Sequence, residues 1–158
     1  MAVIKGTNSY VSVAEADSYF ADRVDSAVWA AASDTLKNQV LVSATMLLDI
    51  QSWAGTAITE NQPLAFPRNC EYFDPRVGSS ILLNGDTPKR ITDATFELAM
   101  HLLQNEGILG DSGSVSTLSV GTITLNNIQK PSMLPKIVKT LIKPLLVNAG
   151  SSGWWRAN

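Results

Sequence analysis

The stretch from Thr87 to about Gly107 constrains the fold more than any other, because it reads as a helix that is apolar on two sides. Thr87 is placed to cap it and Pro88 suits the first helical position. One stripe is Ile91, Ala94, Leu98 and Leu102, and a second is Phe96, Met100 and Leu103. A helix with two apolar faces must be covered on both, so it is expected to sit at the centre of the fold.

The remaining helices are read around it. Ser12 and Glu15 have the spacing of a capping box, with Val11 and Ala16 at the positions of a weak hydrophobic staple, so a helix is expected from about Val13 to Arg23. Asp25 or Ser26 can cap a short turn over Ala27 to Ala32, anchored by Trp29. Ser33 can cap a helix running to about Ser52, with Leu36, Val40, Leu41, Ala44, Leu47 and Leu48 at helical spacing. Trp53 to Gly85 is poorly periodic and holds Pro63, Pro67 and Pro75. Asn61-Gln62-Pro63 and Asn84-Gly85-Asp86 read as turns, Ile81-Leu82-Leu83 is too short to assign, and the whole reads as a long connection.

After a flexible link at Ser112 and Gly113, Val115 to Ile128 alternates and is rich in Val, Thr and Ile, which predicts one or two strands broken at Gly121. A last helix is expected from about Pro135 to Val147, with Ile137, Leu141 and Leu145 inward, Val138 and Ile142 beside them, and Lys136, Lys139 and Lys143 opposite. Pro144 should kink or end it. The expected fold class is therefore mainly α: a small bundle of about four helices with a strand or hairpin excursion near 115–128 and an extended C-terminal tail. Residues 1–111 would form the helical body. Residues 112–158 would carry the excursion, the basic helix and the tail within the same single domain.

Charge sharpens this picture. All fourteen acids lie at or before Asp111, beside seven Lys or Arg, a net of −7. From Ser112 onward there are no acids and five bases, Lys130, Lys136, Lys139, Lys143 and Arg156. Such polarity suits head-to-tail packing of copies, or equally a tail folding back on its own body. Only 16% of residues are charged, which leaves much neutral surface and suits a subunit among neighbours. Trp154-Trp155-Arg156 follow a Gly/Ser linker, and these residue types are enriched at interface hot spots; they can equally fold onto the bundle.

Chemistry is sparsely represented. His101 is the sole histidine and lies among Met100, Leu102 and Leu103, as expected of a hydrogen-bonded core residue. Cys70 is the sole cysteine, so neither an internal disulfide nor a cysteine metal site is possible, and Arg68 nearby would lower its thiol pKa. Asp22 with Asp25, and Glu71 with Asp74, are acid pairs that either cap amides or perform acid/base work. No phosphate-loop or nucleophile-elbow pattern occurs. The expectation is a non-enzyme with no cofactor, no metal and no membrane segment, made soluble in a reducing compartment.

The string Asn8 to Asp22, the loop Leu64-Ala65-Phe66-Pro67-Arg68, the helix opening Thr87 to Ala99 and the strand Ser119 to Leu125 together resemble a family of tailed-phage structural proteins. Its members are commonly labelled DnaT-like single-stranded-DNA-binding proteins. Phe66 stands where that family usually has Trp, and Ile50 to Gly55 replaces a basic cluster. The resemblance implies a structural virion protein, a head-to-tail adaptor in a twelve-membered ring docked on the portal. It would extend the DNA channel and join tail or nozzle proteins, with weak contact to passing DNA. The 115–128 strands and the tail would reach the portal or a neighbouring copy. Lys130, Lys136, Lys139, Lys143, Trp154, Trp155 and Arg156 are the expected partner contacts. The alternative is a true single-stranded-DNA-binding protein, using a positive groove and stacking aromatics.

Overall fold

The computed structural model describes residues 2–105, 108–109, 117–120, 123–126 and 132–147. Helix α1 (Val13–Ala21) begins on the expected box: the Ser12 hydroxyl accepts from the Glu15 amide at 3.2 Å, and the Glu15 carboxylate accepts from the Ser12 amide at 2.8 Å. Val11 and Ala16, the staple pair, are both fully buried. Helix α2 (Ser26–Ala31) carries buried Trp29, but Asp25 makes no side-chain cap and instead accepts from Arg23 Nε at 3.2 Å. Helix α3 (Asp34–Asp49) is capped by Ser33 as expected. It ends before Ser52, because Gln51 N and the Trp53 indole both turn back to the Leu48 carbonyl.

Helix α4 (Lys89–Gln104) is the centre. Both stripes are buried, with Ile91, Ala94 and Leu98 fully so, and the helix packs against α2, α3 and α5 (Lys136–Ile142). Its start is displaced by one residue: Pro88 occupies the cap position and Thr87 lies outside. Aromatic side chains lock α1 and α2 onto it, with Tyr19 stacked on Phe96 at 4.5 Å and Phe20 against Trp29 at 4.7 Å.

The expected mainly α bundle of about four helices is overturned. The described residues hold five α-helices and a three-stranded antiparallel sheet, ordered β1 (Thr56–Ala57), β2 (Arg68–Asp74) and β3 (Ser79–Asn84). The stretch assigned to a long connection therefore holds all three strands of this sheet. Its register pairs Cys70 with Leu83 and Tyr72 with Ile81, and the inward side chains of β2 are Cys70, Tyr72 and Asp74. A carboxylate at an inward position breaks the apolar alternation, which conceals the strand from a periodicity reading. Asp74 is tolerated there because Arg90 Nη2 donates to it at 2.6 Å and Arg76 at 2.8 Å.

In the later chain, β4 (Thr117–Val120) and β5 (Ile123–Asn126) pair as an antiparallel hairpin, within the predicted strand region. Helix α5 gives way to a 3-10 turn, Lys143–Leu145, that contains Pro144, so the predicted break is present. The predicted phase is wrong. Val138, Ile142 and Leu145 are buried while Ile137 is 48% exposed, so the helix is rotated by about one residue from the expected stripe. Ala54 N donates to Leu145 O and Val147 N to Ser52 O, both at 2.9 Å, which ties this segment to the chain leaving α3.

Candidate functional site

Most of the charge in the body is consumed by the body. Lys5 pairs with Glu15, Lys37 with Asp17, Lys89 with Asp93, and Arg76 and Arg90 with Asp74. Arg23 bonds Glu97, which also accepts from the Tyr19 hydroxyl at 2.6 Å. Arg68 donates to the carbonyls of Ala54, Gly55 and Ala65, beside the cis Phe66–Pro67 peptide, and thereby ties the loop to β2. The protonation shifts follow from these contacts. Hydrogen bonds from Arg76 and Arg90 hold Asp74 well below the usual carboxylate range, and Lys37 does the same more mildly for Asp17. Burial, then a carboxylate partner, raises both Tyr10 against Asp49 and Tyr19 against Glu97.

The candidate chemical groups fall away in the same terms. Burial pushes the Cys70 thiol up, and the lowering influence of Arg68 does not overcome it, contrary to the expectation from sequence. Glu71 and Asp74 do not form a pair, because Glu71 points outward from the strand and Asp74 inward. Half-buried His101 sits with Nε2 2.8 Å from Ser132 O and Nδ1 3.3 Å from the Asn105 amide. A hydrogen on Nε2 satisfies both contacts, so the ring works as a strut between α4 and the lead into α5. Among the described residues, no group of three or more His, Cys, Asp or Glu is placed to hold a metal, and no helix is long and apolar enough to cross a membrane.

What remains is the outer face of α5. Its apolar residues Val138 and Ile142 dock the helix on the body, and the three-and-four spacing then places Lys136, Lys139 and Lys143 together on the exposed side. None of the three has a carboxylate partner among the described residues; Lys139 Nζ donates to Ser132 Oγ at 3.2 Å. The row spans roughly 10 Å along the helix axis. Of the other residues expected to make partner contacts, Lys130, Trp154, Trp155 and Arg156 lie outside the described residues.

The last lysine of the row opens onto a groove of about 710 Å³ between β2 and the 3-10 turn, walled by Ala54, Gly55, Glu71, Phe73, Pro144 and Val147 among others. Phe73 is 57% exposed there. A sequence reading passes over it, because Tyr72 and Phe73 separate into an inward and an outward ring only once β2 is recognised as a strand. A second open groove, about 580 Å³, lies between α1 and α4, but its Lys89, Asp93 and Glu15 are already paired.

A family model described as "Putative DnaT-like ssDNA binding protein" matches residues 2–158. No curated protein and no solved structure matches the chain.

Proposed function

The chain belongs to the family described as DnaT-like ssDNA binding proteins, and from that membership we propose that it binds single-stranded DNA without catalysis, with Lys136, Lys139 and Lys143 neutralising backbone phosphates. The observation that carries this reading is the division of cations. Every described base before α5 is committed to a carboxylate or to backbone carbonyls, whereas Lys136, Lys139 and Lys143 have no carboxylate partner among the described residues. A lysine already in an ion pair loses that pair when it meets phosphate. An unpaired one releases only condensed counterions, and that release favours binding.

The test is the fluorescence anisotropy of a labelled oligo-dT titrated with protein at increasing salt. If three lysines act, the log–log slope of affinity against salt should be about −2, approaching about −3.5 if Lys130 and Arg156 contribute. The variant Lys136→Ala/Lys139→Ala/Lys143→Ala should flatten the slope by about 2. An unchanged slope in that variant, or no binding at low salt, would refute the reading.

A second reading is favoured by the outer face of the sheet, where Phe73 and Leu82 are diagonal neighbours and Val77 is exposed in the adjoining turn. Exposed apolar residues on one face of a sheet suit burial against another protein. In this reading the protein is a head-to-tail adaptor in the virion of a tailed phage, assembled in the host cytoplasm. It would form a ring on the portal protein, join tail or nozzle proteins, and let the α5 lysines face channel DNA. Negative-stain images of the purified protein with portal rings should then show added density on the portal. Bare portal rings at saturating protein would sink it.

A further inference from the structure

Resting on the single-stranded-DNA reading, we propose that Phe73 is a base-stacking platform and that the groove beside Lys143 seats one unstacked base of the bound strand. Lys143 ends the exposed lysine row and also lines this groove, so a strand whose phosphates follow Lys136 and Lys139 is delivered to the groove mouth. The ring it meets there is 57% exposed on the outer face of β2, where its strand neighbour Tyr72 is buried and its directly opposed residue on β3 is only Ser80. Directly across the strand pair the ring meets only the small Ser80, with Leu82 as its diagonal neighbour. Pro144 and Val147 add apolar surface to the same groove, a lining that suits a flat aromatic guest.

Charge selects the guest. Among the described residues, Lys143 is the one cation on the groove wall and Glu71 the one anion. A base is neutral, so it can pass Glu71, whereas a phosphate is repelled by it and is retained at the lysine. The combination places the backbone on the α5 side and the base on the β2 side, which is the division of labour that sequence-tolerant single-strand binders use.

The experiment compares two strands of equal length, oligo-dT and an abasic deoxyribose-phosphate strand, against wild type, Phe73→Ala, Phe73→Trp and the triple lysine variant. Phe73→Ala should weaken oligo-dT binding roughly 5- to 100-fold and leave the abasic strand unchanged. Phe73→Trp should retain oligo-dT affinity, and the lysine variant should weaken both strands. If Phe73→Ala leaves oligo-dT affinity intact while the lysine variant abolishes it, the platform is refuted and the phosphate contacts stand. Equal weakening of both strands by Phe73→Ala refutes it as well, because the ring would then be supporting the fold. If wild type binds neither strand, both the platform and the reading beneath it fall.

Discussion

Replacing Leu98 by alanine should cost about 2–5 kcal/mol of folding free energy, read from urea unfolding followed by circular dichroism. Leu98 is fully buried at the middle of α4, the helix that touches α2, α3 and α5. Truncation there removes three carbons, a methine and two methyls, and leaves a void in a close-packed core that relaxes only partly to fill it. The same change at exposed Leu82 should cost under about 0.5 kcal/mol, because that side chain is already in water. If Leu98→Ala cost less than about 1 kcal/mol, α4 would not be the common packing partner of the fold.

Gly55→Ala should be damaging for a different reason. Gly55 has φ +76°, a conformation that costs an L-residue about 1–3 kcal/mol. An added Cβ would also lie 2.1 Å from Asn69 O and 2.4 Å from Cys70 Cβ. Those atoms are the backbone and the inward side chain of β2, so relief requires that the strand shift. It would also disturb the Arg68 hydrogen bond to Gly55 O, 2.6 Å long. Overpacking of this kind adds about 1–3 kcal/mol, for a total of roughly 2–6 kcal/mol. Gly78 supplies the control. It has φ +72° and nothing within 4 Å of an added Cβ, so Gly78→Ala should show only the backbone cost. Thermal unfolding of the two variants side by side separates clash from strain, and equal losses would show that β2 yields freely.

The helices were legible because their signals are local. The Ser12–Glu15 box, the Ser33 cap and the two stripes of α4 each lie within a few turns of chain and appear in the structure nearly as written. The sheet was not legible, because the residue that completes its inward row is Asp74, and its partner Arg90 comes from another element. A periodicity that counts only apolar residues cannot register a carboxylate made tolerable by a distant guanidinium. The phase of α5 was missed for a related reason. With Ile137, Val138, Leu141 and Ile142 all apolar, two stripes compete, and packing against α4 decides between them. The site divides in the same way. The lysine row could be read from spacing alone, whereas Phe73 gained meaning only from the strand and the turn that flank it.

The two backbone hydrogen bonds between Ser52–Ala54 and Leu145–Val147 bear on how the protein is made. They join segments from the early and late parts of the chain, and such closures are costly in entropy and slow to form. While it is being synthesised, the nascent chain can assemble α1 to α4. It cannot seal the groove wall or cover the second flank of α4 until residue 147 has cleared the ribosome. The groove beside Lys143 should therefore form only once this late segment has been made, and products that stop before it would lack that groove altogether.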